Sequence, residues 1–253
     1  MSYQEIVSFW QGKKIITCAD LEAVLNGQII NFAYHSGKIE NDNITYNDTR
    51  DIFERDTLSN YTGDLRTIFE IRNAKEAMKF VISSFGERVK FDEAFLCRLQ
   101  YELAKNTYDE QRYSIGERPG EYKKHDYVTG REEVGALPED VKDEMEELLA
   151  DLTENDLDTP ERVLTAAAYF HAKFENIHPF ADANGRTGRL AANYFLMLHN
   201  HPPLIIHEED RSEYYAALEA WDTRQDLSLL KKFFVLQLEK TWARQLRRMR
   251  RKI

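Results

Sequence analysis

Apolar residues recur at intervals of three to five along almost the whole chain, the spacing of one face of an α-helix. A chain patterned this way buries its apolar stripes by packing helix on helix. Leu21, Val24, Leu25, Ile29, Ile30 and Phe32 predict one helix between Asp20 and Tyr34, and Leu65, Ile68, Phe69, Ile71, Ala74, Met78 and Val81 a longer one. Phe95, Leu96, Leu99 and Leu103 give a third, opened by Asp92 as N-cap. Pro138-Glu139-Asp140 marks a helix start, with proline in the first turn and acids beside it, and Thr159-Pro160-Glu161 marks another. Leu190 to Leu198 is apolar on most sides and reads as a buried helix, and Tyr214–Trp221 and Leu229–Leu246 continue the pattern. The exception is Ser114 to Glu133, where three glycines and a proline interrupt it. Tyr122, Tyr127, Val128 and Thr129 suit strands, so Glu121–Thr129 is expected to form a short hairpin. Loops of this length are uncommon unless functional, which points to a binding or lid element.

The chain has 253 residues, ample for a core and sized for one large domain or a domain with an extension. With 34 Lys+Arg against 44 Asp+Glu the formal charge is −10, which argues against a general nucleic-acid binder, whose phosphate contacts need a surplus of cations. No apolar run is long enough to cross a bilayer, and the N-terminus lacks a basic stretch followed by an apolar one. Cys18 and Cys97 make neither a disulfide framework nor a metal-ligand pattern, so a reduced, cytoplasmic setting is the expectation. The basic tail from Lys240 to Ile253 holds seven Lys or Arg and no acid. It reads as a solvated helix end, with contact to an anionic partner as the alternative.

One stretch concentrates chemistry: Ile177-His178-Pro179-Phe180-Ala181-Asp182-Ala183-Asn184-Gly185-Arg186-Thr187-Gly188-Arg189. It lies between two apolar helices and is therefore a loop leading into a helix N-terminus. Free backbone N–H groups and the positive dipole end suit phosphate there. Asn184 and Gly185 favour turn conformations that aim successive amides inward. Arg186 and Arg189, three apart, are neighbours on the following helix and together suit more than one phosphate. Asp182 is a hard oxygen ligand suited to Mg²⁺, and His178, ending the previous helix, is able to take a proton near neutral pH. Each part alone has a bland reading, as a packing histidine or a solvated arginine pair. His171, two turns before His178, reads as structural.

The run His178 to Arg189 resembles the Fic signature HxFx(D/E)GNGRxxR at every fixed position but one, where Ala183 replaces the first glycine. Pro119-Gly120-Glu121-Tyr122-Lys123 resembles the start of that family's flap, and Arg211–Leu218 its nucleotide-side helix. Ser36-Gly37-Lys38-Ile39-Glu40-Asn41 fits the inhibitory pattern (S/T)xxxE(G/N) that some Fic proteins carry. The resemblance spans roughly residues 30 to 240. It implies an all-α Fic fold, a helical bundle with the signature in the loop between two central helices and a short β-hairpin flap. The implied parts are an N-terminal region 1–90 with the inhibitory helix, a core 91–240, and a basic helix end 241–253.

The resemblance also implies transfer of AMP from ATP to a Ser, Thr or Tyr hydroxyl of a protein target, the protein itself included. In that scheme His178 is the base and Asp182 holds Mg²⁺. Asn184, Gly185 and Arg186 bind the α and β phosphates, Arg189 the γ, and Gly188, Tyr214 and Tyr215 complete the nucleotide site. Ser36 and Glu40 are inhibitory, with Glu40 pairing Arg189. Glu121, Tyr122, Lys123, Lys124, His125, Asp126, Tyr127, Val128 and Thr129 form the target-binding flap. Related proteins often form homodimers. The alternatives are another phosphate donor, the reverse reaction of de-AMPylation with Glu40 positioning a water, or a nucleotide-binding module weakened by Ala183. At a positive φ alanine is strained and its methyl crowds the phosphates; at a negative φ the change is nearly harmless.

Overall fold

Short polar side chains start most of the helices. Ser2, Thr17, Thr45, Asp64, Asp92, Asp109 and Thr159 each accept a hydrogen bond from a backbone N–H of the first turn they precede. Each such cap contributes about 1 kcal/mol to its helix. The structure, a computed structural model, describes residues 2–58, 61–130, 132–154 and 156–250. The end of the basic tail, residues 251–253, lies outside the described residues.

The helices among the described residues are α1 (Tyr3–Gln11), α2 (Cys18–Leu25), α3 (Ile29–Glu40), α4 (Tyr46–Arg55), α5 (Leu65–Glu87) and α6 (Glu93–Ala104). The short α7 (Glu110–Ser114) precedes α8 (Val141–Glu154), α9 (Pro160–Ile177), α10 (Asn184–Leu198), α11 (Arg211–Arg224) and α12 (Ser228–Arg250). The fold is all-α. Helices α9 and α10 pack against each other at the centre, with α6 on α10, α8 on α9, and α12 against α1, α9 and α11. Helix α3 lies across α5 and α10, which brings residues near the N-terminus to the middle of the molecule. One apolar cluster runs from Tyr3 to Leu246. Among the described residues no helix is long and apolar enough to cross a membrane.

Three sequence expectations differ locally. The helix predicted between Asp20 and Tyr34 is two helices, α2 and α3, because Asn26 is extended (ψ 127°) and Gly27 turns left-handed (φ 83°) between them. Helix α8 starts at Val141, since Leu137 to Asp140 make a turn in which the Leu137 carbonyl accepts from both Asp140 and Val141. The hairpin expected over Glu121–Thr129 is not there: among the described residues, pairing is confined to one antiparallel bridge, Thr129 with Val134. The segment's backbone groups bond elsewhere, Lys123 N–H to the Pro179 carbonyl (2.9 Å) and Lys124 N–H to Glu117 Oε1 (3.0 Å). A strand partner is thus replaced by the signature loop itself.

The two ends of the chain close on each other through Trp242. It is fully buried, sits edge-on to Trp10 (5.6 Å between centroids) and donates Nε1–H to the Pro203 carbonyl at 2.8 Å. Close by, the Tyr3 hydroxyl meets His201 Nε2 at 2.9 Å. Trp242→Ala is expected to cost about 3–5 kcal/mol in urea unfolding, the range for removing a buried aromatic side chain.

Candidate active site

Helix α9 ends at Ile177, and His178 caps it in the left-handed region (φ 51°), its N–H bonded to the Phe174 carbonyl. That turn directs the chain into a tight loop that Asn184 closes. The Asn184 Oδ1 accepts from Phe180 N–H (2.9 Å) while its Nδ2 donates to the Phe180 carbonyl (2.7 Å). Phe180, fully buried beside Phe174 and Tyr122, anchors the loop from below. The turn residues are therefore His178 and Ala183, whereas Asn184 and Gly185 already belong to α10; this corrects the expectation of an anion nest built on Asn184 and Gly185. Ala183 at φ 65° has no side-chain cap to offer, so the first amides of α10 keep no capping partner. An anion at that helix end is favoured by those N–H groups and by the dipole.

Two guanidiniums leave α10 in different directions. Arg189, only 6% exposed, donates Nε to Ser36 Oγ (3.0 Å) and Nη2 to the Ser36 carbonyl (2.9 Å) and to Glu40 Oε1 (2.7 Å). Burial pulls its pKa down, but Glu40, Tyr214 and Glu175 together outweigh that and keep it firmly protonated. The Glu40 carboxylate also lies against Gly185: a Cβ there would run into Glu40 Oε1 and come within 2.8 Å of Arg189 Nη1. Gly185 is what lets a carboxylate sit at the start of α10.

Arg186, equally buried, turns the other way, to Asp182 Oδ1 (3.4 Å) and Glu70 Oε1 (3.5 Å). Asp182 is also met by Arg66 Nη2 (2.6 Å), Arg112 Nη2 (3.9 Å) and the Ala183 N–H (2.6 Å). Burial pushes the Asp182 carboxyl up, yet Arg186, Arg66 and the Ala183 N–H hold it below the usual range. Among the described residues no three His, Cys, Asp or Glu side chains group as a metal cage. A lone hard carboxylate fits Mg²⁺ when nucleotide phosphates supply the other ligands.

His178 sits between these clusters. Burial, aided by the Lys123 ammonium, lowers its pKa to about 4, so the ring is neutral and able to accept a proton at neutral pH. Its Nδ1 is buried with no hydrogen-bond partner.

The flap residues do come alongside the loop. Lys123 is buried, its Nζ donating to the Tyr127 carbonyl (2.9 Å), and Tyr122 packs on Phe180. Glu121, Lys124, His125, Asp126 and Val128 point to solvent, His125 Nδ1 lying 2.8 Å from the buried Glu117 and Thr129 holding the bridge. Tyr214 is buried, with its hydroxyl 2.8 Å from His171 Nε2 and 3.5 Å from Arg189 Nη1. Tyr215 is 42% exposed on the outer face of α11. Gly188 faces α9, where a Cβ would come within 2.6 Å of Glu175 Oε1 and 3.1 Å of His171 Nδ1.

His171, read from sequence as structural, thus reaches Arg189 through Tyr214. Burial pushes the neighbouring Glu175 carboxyl up to about 8. Sequence reading missed Arg66, Glu70, Arg112 and Gln100, the last donating to the Asp182 carbonyl (3.0 Å) and accepting from Gly120 N–H (2.5 Å). None lies within a recognisable motif; only their packing marks them, Arg66, Arg112 and Gln100 at Asp182 and Glu70 behind Arg66 and Arg186.

Residues 90–196, the span that includes α6, the flap, the loop and most of α10, match the Fic/DOC family. The chain carries a Fic domain. It is 31% identical over 192 residues to the protein adenylyltransferase Fic of Drosophila erecta, covering 74% of this chain and 36% of that protein. A shorter stretch of 53 residues is 53% identical to the protein adenylyltransferase Fic of Drosophila persimilis, covering 21% of this chain and 10% of that one. The matches therefore span little more than a third of the length of the first curated relative and a tenth of the second. The fold resembles a Fic domain containing signaling protein from Bacteroides thetaiotaomicron VPI-5482, with a TM-score of 0.79 at 21% identity over 95% of this chain and 94% of that one.

Ala183 is the one departure from the signature, and its left-handed backbone identifies it as strained. Its methyl is buried within the main apolar cluster. Ala183→Gly is expected to stabilise the protein by about 1 kcal/mol, read as a higher urea midpoint with unchanged slope.

Proposed function

We propose that the protein is a protein adenylyltransferase that moves AMP from ATP to a Ser, Thr or Tyr hydroxyl of a protein target, and that its own α3 restrains it. The observation that carries this reading is the Glu40 carboxylate lodged against Gly185 and Arg189, an anion already seated at the start of α10. A phosphate is favoured at the same place for the same physical reasons.

In the reaction, the target hydroxyl attacks the α-phosphorus of ATP as His178 takes its proton. The bond from the α-phosphorus to the bridging oxygen of the β-phosphate breaks, and pyrophosphate leaves. The amides at the start of α10 and Arg186 face the α and β phosphates, and Arg189 is the γ-phosphate partner. Asp182 would hold Mg²⁺, which supplies charge neutralisation on the phosphates. The catalysis is positioning and electrostatics, with little covalent work for the protein. In this reading a target chain passes along the flap, whose exposed edge Lys124–Asp126 adjoins the buried Lys123 that is tied to Pro179. Target and nucleotide would then meet over His178.

Glu40 and a γ-phosphate need the same donors of Arg189, so they exclude each other. ATP bound with its γ-phosphate displaced leaves the α-phosphorus out of line, and a misplacement of about 1 Å costs roughly 100-fold in rate. With labelled ATP and Mg²⁺, Glu40→Gly is expected to raise label transfer at least about tenfold, Arg189→Ala to cancel that gain, and His178→Ala to reduce transfer by about 10² to 10⁴ while ATP still binds. Nucleotide binding with no transfer in any of these forms would make the protein a binding module instead.

The pH dependence follows from the neutral ring. The base works when deprotonated, and a pKa near 4 leaves it so well below the ordinary histidine value of 6.5. The Glu40→Gly enzyme is expected to keep a level rate from about pH 7.5 down to about pH 5 and to fall only below that. A drop centred near 6.5 would place His178 in water-like surroundings.

A further inference from the structure

The inhibitory contact has a second arm that does not involve Arg189. Asn41 closes α3, its N–H bonding the Gly37 carbonyl, and its side chain reaches away from Glu40 toward α5. Nδ2 donates to Glu70 Oε2 (2.7 Å) and to Thr67 Oγ1 (3.1 Å). Glu70 is 6% exposed, and its other oxygen accepts from Arg66 Nε (3.1 Å) and faces Arg186 Nη1 (3.5 Å). Arg66 completes the chain, its Nη2 donating to Asp182 Oδ2 at 2.6 Å. The last residue of the inhibitory motif is thus joined to the carboxylate of the signature through two side chains of α5.

Asp182 has two oxygens and both are engaged. Oδ1 accepts from Ala183 N–H, a contact within the loop, and Oδ2 holds Arg66. A divalent cation on this carboxylate would have to take the place of the Arg66 guanidinium at Oδ2. Arg66 is 40% exposed and has room to turn away, whereas Arg186 at 6% does not. What keeps Arg66 in place is the fixed position of Glu70, and one of the groups fixing Glu70 is Asn41.

We infer that Arg66 stands in for the divalent cation on Asp182 and that α3 holds it there through Asn41 and Glu70. Helix α3 then opposes the substrate complex at two points, the γ-phosphate through Glu40 and the cation through Asn41. This rests on the reading of Asp182 as the ligand of a nucleotide-borne cation. Arg66 is a positioning residue in this scheme. It acts through Asp182 and touches no reacting atom.

The test is the affinity of Mn²⁺ in the presence of saturating ADP, read from the electron paramagnetic resonance signal of free Mn²⁺. ADP lacks the γ-phosphate, so the contest over Arg189 does not enter. Arg66→Gln is expected to tighten Mn²⁺ binding about tenfold, and Arg112→Gln, which removes the same charge at 3.9 Å without a hydrogen bond, by clearly less. Asn41→Ala changes no charge and is expected to tighten Mn²⁺ about threefold, with no further gain when combined with Arg66→Gln, because both act on one chain of contacts. Glu40→Gly, which keeps Asn41, is expected to give no such gain.

Equal effects of the two arginine substitutions would reduce Arg66 to a general field effect and overturn the inference. So would additive gains in the double variant, or a gain from Glu40→Gly as large as that from Asn41→Ala, which would trace the effect to release of α3 as a whole. Binding that no substitution alters sinks this inference and leaves the adenylyltransferase reading standing; absence of ADP-dependent Mn²⁺ binding in every form sinks both.

Discussion

A guanidinium with 6% of its surface exposed has to be met by an anion, and at Arg189 that anion comes from a helix 149 residues earlier in the chain. Removing one partner of a buried ion pair typically costs several kcal/mol, because the remaining charge has lost both water and its counterion. The position of α3 across α5 and α10 therefore has a local electrostatic reason as well as an apolar one. Ser36, one turn before Glu40, adds a hydroxyl and a carbonyl to the same guanidinium. Tyr214 borders it from α11, with His171 behind. Four helices, α3, α9, α10 and α11, meet around one charge.

The start of α10 is flanked by opposite solutions to the same problem. On one side a buried cation, Arg189, is neutralised by the partly exposed Glu40. On the other, Asp182 and Glu70 are shared among Arg66, Arg112 and Arg186. Between them His178 is kept neutral by burial and the nearby Lys123. A nucleotide bound as proposed would bring several negative charges to this place, which favours cations and free amides there and penalises any carboxylate that stays. Glu40 is such a carboxylate, and its side chain is 35% exposed, the exposure expected of a group that can withdraw.

Much of this was legible from local pattern. The spacing of apolar residues locates most helices, Asp92 is recognisable as a cap because an N-cap is a relation between residues three apart, and Thr159-Pro160-Glu161 as a helix start. The signature run marked the loop, and the inhibitory pattern marked Ser36 and Glu40. The errors were also local in kind. Asn184 has the residue type of a turn former, but its amide makes two hydrogen bonds to Phe180 that sequence spacing does not announce. The β-prone residues of the flap suggest a hairpin, whereas its backbone finds partners in Pro179 and Glu117.

The sequence by itself determined that the chain is helical and where the signature loop lies between two of its helices, because periodicity and motif spacing are short-range properties. It left the sign of φ at Ala183 open, since alanine alone does not dictate its backbone and the tight turn between α9 and α10 does. It was silent on Arg66, Glu70 and Gln100, and on what Asn41 touches: Arg66 and Gln100 bond Asp182 directly from α5 and α6, and Asn41 at the end of α3 reaches it through Glu70 and Arg66. Only the packing of those helices brought them within hydrogen-bond distance, because contact between residues distant in sequence is set by how apolar faces fit together and not by the order of the residues that meet.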